Sequence, residues 1–205
     1  AMIADGLFTR WSIDAVYGMH NLPGVPVGKF ATRPGALMAS ESAFKIVVRA
    51  TGGHAAMPHT GTDPIVVGAQ IVTALQTVVS RNLSAIDETA VISVTNFETN
   101  GTVNVIPSEV TISGDTRSFT DSTLGKIEKA IERVVAGQCL SAGVEYEYQF
   151  HNSYLSTINS FDETQHAVAA AENVVGAENV DGNCRRYTIS EDFSFMLREV
   201  NGCYI

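Results

Sequence analysis

The side chains in this sequence best suited to chemistry are five histidines, one arginine beside two acids, and one pair of adjacent carboxylates. His54 and His59 stand in Thr51-Gly52-Gly53-His54-Ala55-Ala56-Met57-Pro58-His59, a Gly-rich stretch just ahead of a helix start at Asp63-Pro64. Gly52 and Gly53 open backbone geometries that other residues avoid, and the N-terminus of the following helix favours anions. An imidazole held there could steady a developing oxyanion; the same stretch could equally be a plain strand-to-helix connection. His20 ends an apolar run, Val16-Tyr17-Gly18-Met19, and precedes Asn21-Leu22-Pro23-Gly24. That position suits a metal ligand, because strands hold loop residues rigidly, although the residues alone favour a hydrogen-bonded structural imidazole. Arg117, in Gly114-Asp115-Thr116-Arg117-Ser118-Phe119, could grip a carboxylate with two hydrogen bonds or pair with Asp115 or Asp121. Glu191 and Asp192 could complement a helix dipole, and His151 and His166 read as structural. No CxxC, GxSxG, HExxH or phosphate-binding Gly-rich loop occurs, so these residues alone specify no reaction.

The composition narrows the field. Thirteen Lys and Arg against 22 Asp and Glu give a net charge of −9, with no basic cluster. Binding to nucleic acid or to an anionic membrane surface is therefore disfavoured, since both need a basic surface. No apolar run approaches the ~20 residues that span a bilayer. The three cysteines, Cys139, Cys184 and Cys203, are scattered and odd in number. They read as reduced buried thiols, which suggests a cytoplasmic protein.

The elements that must position these residues are clearest in the middle of the chain. Phe44, Ile46, Val48 and Ala50 alternate with Lys45 and Arg49 in the period-2 pattern of a half-buried strand. Asp63-Pro64 starts a helix with an apolar face of Ile71, Leu75, Val78 and Val79. Strands follow at Ala90–Thr95 and Val110–Ser113. A second helix, capped by Asp121, carries Leu124, Ile127, Ile131 and Val134, and a last strand alternates over 144–150. The order βαββαβ predicts a ferredoxin-like domain over 41–153, with both helices on one face of one sheet. Its second strand is an edge, which invites pairing with another copy. Residues 1–40 and 154–205 read as parts of one second domain into which this one is inserted. Ala1–Gly6 resembles a helix end running into its Gly cap, and Gly202–Ile205 an apolar strand start, so neither end reads as a natural domain edge.

Taken together, these motifs resemble the zinc-dependent amidohydrolase and carboxypeptidase family that includes hippurate hydrolase, indoleacetyl-amino-acid hydrolase and N-acetyl-diaminopimelate deacetylase. The resemblance runs in order through Gly18-Met19-His20-Asn21, Gly52–His59, Asp63-Pro64-Ile65-Val66, Leu75-Gln76 with Ser80-Arg81-Asn82, Gly101–Pro107, Gly114–Phe119 and Ser190-Glu191-Asp192-Phe193. It implies a ferredoxin-like lid domain in a zinc-peptidase-like α/β catalytic domain that is only partly present here. It implies that His20 is a ligand of a two-metal site, zinc being expected and manganese or cobalt compatible. It further implies that His54 steadies the carbonyl oxygen in a partner subunit's site, and that Asn104 and Arg117 hold the substrate, Arg117 at its free carboxylate. The substrate would be a small N-acyl amino acid or dipeptide-like amide, and the assembly a homodimer through the lid.

The departures from the family pattern carry their own expectations. The other metal ligands and the paired glutamates that include the general base have no counterpart here. One ligand cannot hold zinc, which needs three or four, so these 205 residues alone are expected to be inactive and metal-free. The alternative is an inert dimerisation or scaffold module, which would have no use for His20, His54, Asn104 and Arg117 together.

Overall fold

A computed structural model describes all 205 residues, which divide into two compact units: residues 1–40 with 154–205, and residues 41–153. The first unit opens with a helix-terminating turn. Gly6 at φ 88° lets its N–H reach the Ile3 carbonyl (2.9 Å) and lets the Leu7 N–H reach that of Met2 (3.2 Å). Those two bonds are the signature of a helix C-terminus closed by glycine. A single turn, α1 (Leu7–Arg10), and three short strands follow: β1 (Val16–Gly18), β2 (Phe30–Ala31) and β3 (Gly35–Met38).

The second unit contains β4 (Glu41–Arg49), β5 (Gly53–His54), α2 (Pro64–Thr77), β6 (Ala90–Thr99), β7 (Val105–Ile106), β8 (Glu109–Ser118), α3 (Asp121–Ala142) and β9 (Glu145–Tyr154). Its main sheet has the order β6-β8-β4-β9. Along β8 the residues alternate without a break between buried and half-buried, as a central strand covered on one face must. One cluster joins Phe44, Ile46, Val48, Val110 and Ile112 of the sheet to Val67, Ile71 and Leu75 of α2 and Ile127, Ile131 and Val135 of α3. Both helices therefore cover the same face, and β6 is an edge. Gly114 is required at the centre of β8, because a Cβ there would fall on the Phe44 ring and the Ser93 carbonyl.

The helix ends explain their boundaries. Asp63 Oδ1 accepts from the Ile65 N–H at 2.9 Å, with Pro64 filling the first position. The second helix is capped by Thr120, not by Asp121: Thr120 Oγ1 accepts from the Thr123 N–H at 3.1 Å, while Asp121 sits in the first turn. Thr120 takes this role because its backbone is extended, the conformation that turns a hydroxyl back onto the helix end. Over Val78–Asn82, α2 runs on as a wider π turn. The span Pro64–Asn82 is long and apolar enough to cross a membrane by length and composition. Its apolar residues Val67, Ile71, Leu75 and Val78 lie in the core of the unit.

The chain then completes the first unit with β10 (Thr157–Asn159), α4 (Phe161–Val175), β11 (Val180–Asp181), a 3-10 turn at Asp192–Phe195, α5 (Met196–Glu199) and β12 (Gly202–Tyr204). β12 pairs in parallel with β1, β11 in parallel with β2, and β10 antiparallel with β3. Buried Asn159 ties these pairs together. Its amide donates to Thr32 Oγ1 and to the Arg33 and Tyr204 carbonyls, and its oxygen accepts from the Tyr204 N–H at 2.8 Å. All three cysteines are buried and free of disulfides.

Candidate functional site

His54 lies on a short strand rather than in an open connection. β5 pairs antiparallel with β7, so that His54 faces Val105 across the ladder, and the Ala55 N–H donates to the Asn104 carbonyl at 3.0 Å. This places His54 beside Asn104. The ladder forms because Gly52, at φ 60°, passes close over the carbonyls of Ile106 and Pro107, where a Cβ would stand 2.7 Å from each oxygen. The Ala56 N–H donates to His54 Nδ1 at 3.1 Å. In the neutral ring the proton is therefore assigned to Nε2, which makes the exposed imidazole an N–H donor. Asn104 is exposed, with Oδ1 accepting from Thr102 Oγ1 at 3.3 Å, and next to it Val103 is wholly exposed. His59 falls in an exposed 3-10 turn and joins neither.

Arg117 lies at the opposite end of the same unit. Asn104 and His54 sit beyond the Glu109 end of β8, and Arg117 is eight residues along that strand. At about 3.3 Å per residue the two groups are roughly 25 Å apart. Arg117 is largely shielded, with its Nε 2.8 Å from Asp115 Oδ2 and its Nη1 3.0 Å from Glu41 Oε2. Asp115 was a partner that sequence offered. Glu41, 76 positions away in the chain, had no local signal.

In the first unit, the His20 N–H donates to the Ile205 carbonyl at 3.2 Å, extending the β1–β12 pairing past Gly18. Nδ1 lies 2.6 Å from the Asn21 carbonyl, so it carries the proton and leaves the Nε2 lone pair for a ligand. His20 borders a cavity of about 420 Å³ lined with Leu22, Val25, Phe30, Leu37 and Tyr187. Neighbouring Tyr204 donates its hydroxyl to Glu191 Oε2 at 2.7 Å, and Glu191 Oε1 accepts from the Asp192 N–H at 3.0 Å. Burial pushes the Glu191 carboxyl up, but the hydrogen bonds from Tyr204, Asp192 and the backbone more than offset it and hold it below the usual range. Asp192 is raised by its hydrogen bond to Glu191, by burial and by the charge beside it. Tyr204 itself is raised by burial and by Glu191. Sequence gave no sign of this tyrosine, which stands in a short apolar run. His20 is not joined by two further His, Cys, Asp or Glu side chains in a group that could hold a metal ion.

A family model described as peptidase family M20/M25/M40 matches residues 1–205. The chain is 38% identical over 204 residues to the protein YhaA of Bacillus subtilis (strain 168), covering 99% of this chain and 50% of that protein. It is 33% identical over 203 residues to hippurate hydrolase of Campylobacter jejuni subsp. jejuni, covering 99% and 52%. Among solved structures it is similar to the YXEP protein of Bacillus subtilis, a dinuclear metal binding peptidase of the M20 family. The TM-score is 0.79 at 25% identity, over 99% of this chain and 49% of that one. The chain spans about half the length of the curated relatives it matches.

Proposed function

The chain belongs to peptidase family M20/M25/M40, and from that premise we propose that it is part of a metal-dependent amidohydrolase that cleaves N-acyl amino acids with a free carboxylate. The observation that carries this reading is the state of His54. Its Nδ1 is occupied by a backbone N–H, so the ring offers an N–H donor from a strand-braced tip. A donor so fixed suits a carbonyl oxygen that becomes negative when the amide is attacked. Arg117 holds the substrate carboxylate, Asn104 binds the substrate beside His54, and His20 contributes one metal ligand through Nε2. The metal, expected to be zinc with manganese or cobalt compatible, supplies Lewis acidity and an activated water when bound. The remaining ligands and the general base belong to the part of the protein outside these residues.

The separation of the two substrate-binding ends supports a homodimer. A dipeptide-sized substrate spans about 7 Å, far less than the roughly 25 Å of strand between His54 and Arg117. One substrate therefore meets Arg117 of one copy and His54 of another, and the β6 edge is the surface through which two lids pair. The buried thiols support a reducing compartment, the cytoplasm.

The test is to assay the full-length, metal-loaded protein against a panel of N-acyl amino acids and their C-terminal carboxamides, following amine release. Hydrolysis of carboxylates in preference to carboxamides is expected, and His54→Ala should lower kcat by ~10²–10³-fold with little change in KM. The 205-residue chain alone should bind no metal and release no amine. Absence of hydrolysis by the full-length protein would leave only the inert dimerisation module.

A further inference from the structure

The ion pairs around Arg117 carry an inference that rests on its reading as the carboxylate clamp. A guanidinium takes a carboxylate bidentately on either of two edges, one formed by Nε and one terminal nitrogen, the other by the two terminal nitrogens. Here Nε is engaged by Asp115 at 2.8 Å and Nη1 by Glu41 at 3.0 Å, so each edge already has at least one nitrogen in use. An incoming carboxylate cannot simply be added, since a third anion around one cation would bring like charges into contact. One resident must leave.

The geometry points to which one. Asp115 lies two residues before Arg117 on the same face of a central strand, so its short stem is fixed by the strand that carries the arginine. Glu41 reaches across the ladder, one rung beyond the Ser42–Thr116 pair. It is the first residue of β4, and its side chain has one more rotatable bond. We propose that Glu41 is a latch on the substrate's carboxylate subsite: it holds Arg117 Nη1 when no substrate is bound, and the substrate carboxylate displaces it. Glu41 is thus a specificity-determining residue. A neutral substrate end cannot compete with a resident anion, whereas a carboxylate can.

Arg49 provides an internal comparison. It holds Glu109 at 3.1 Å and Glu147 at 2.6 Å, a similar arrangement at the other end of β4 and β8. Glu109→Gln removes the same charge from the same sheet without touching Arg117.

The experiment measures kcat and KM of the full-length enzyme for the N-acyl amino acid hydrolysed fastest in the panel. A partly exposed ion pair of this kind sets an expected decrease in KM of about two- to fivefold for Glu41→Gln, with kcat unchanged. Glu41→Asp keeps the charge but shortens the reach, and should lower KM in the same direction. Glu109→Gln should leave KM alone. Thermal melting checks that each variant folds; if Glu41→Gln does not, Glu41→Asp carries the test. An unchanged or higher KM in the Glu41 variants, with KM raised in Arg117→Ala, overturns the latch and keeps the clamp. An unchanged KM in Arg117→Ala removes the clamp and the latch together, as does the absence of any hydrolysed panel member. An equal decrease in Glu109→Gln would assign the effect to overall charge and also overturn the latch.

Discussion

Replacing Gly52 with alanine tests whether the backbone geometry under His54 matters. At φ 60° an L residue costs about 1–2 kcal/mol relative to glycine. The new Cβ would also stand 2.7 Å from the carbonyl oxygens of both Ile106 and Pro107. Reaching ordinary van der Waals separation requires a retreat of roughly 0.5–1 Å. Backbone rather than a flexible side chain is in the way, so the movement must be made by the segment that leads into β5. That segment carries His54, whose ladder with β7 rests on few hydrogen bonds. The core of Ile46, Ile71, Ile112 and Ile131 lies elsewhere and keeps its packing. The expected result is a decrease in melting temperature of about 1–4 °C, from 1–2 kcal/mol at roughly 1–2 °C per kcal/mol for a protein about twice the length of this chain. If His54 is the oxyanion donor proposed above, a displacement of about 1 Å should lower kcat by up to ~10²-fold. Differential scanning calorimetry and steady-state kinetics on the full-length protein measure both. A wild-type melting temperature would refute the strain, and a lowered melting temperature with unchanged kcat would refute the dependence of catalysis on this strand pair.

Three further outcomes are expected. If His54 acts on a partner copy's substrate while Arg117 serves its own, mixing His54→Ala and Arg117→Ala subunits should restore about a quarter of wild-type activity, because half the dimers are mixed and each has one intact site. Lysines at Ser93 and Thr95 on the β6 edge should give monomers by light scattering and abolish that complementation; an unchanged mass would exclude this edge as the interface. Tyr204→Phe removes a hydroxyl that donates to a carboxylate at 2.7 Å, and should destabilise the protein by about 1–3 kcal/mol at neutral pH. Glu191 is lowered in the folded state, so its contribution is present above the unfolded carboxylate pKa and is lost as pH falls through the lower folded value. The difference between wild type and Tyr204→Phe should therefore shrink below about pH 4.5 in denaturant titrations; a difference constant across that range would rule out the charged hydrogen bond.

Much of the fold was legible because backbone geometry imposes its periods locally. Alternation in 44–50 and 144–150 and the spacing of Ile71, Leu75 and Val78 follow from side-chain directions that each strand or helix fixes for itself. Asp63 as a cap and Gly6 as a helix terminator were legible for the same reason, since their partners lie within five residues. The order of those elements sufficed for the ferredoxin-like sheet with both helices on one face. The choice of Thr120 over Asp121 as a cap was not legible, because it turns on which residue is the last to keep extended backbone. The two-residue strands β2, β5, β7 and β11 were also missed, being too short to show a period.

The residue types of the candidate site belong to the sequence: His20, His54, Asn104 and Arg117 stand in ordered motifs whose resemblance is to one family. Their protonation, their partners and their distances from one another belong to the tertiary structure. His54 offers Nε2–H because Ala56 takes Nδ1, Glu41 meets Arg117 because β4 and β8 pair in one register, and Tyr204 finds Glu191 after the chain has turned through the 3-10 turn and α5 into β12. The physical reason is that register is set where a packed core makes a one-residue slip costly, through contacts between residues far apart in the chain. Local periodicity reports which face of a strand is buried, whereas only the packed sheet decides which strand lies opposite and which side chains meet.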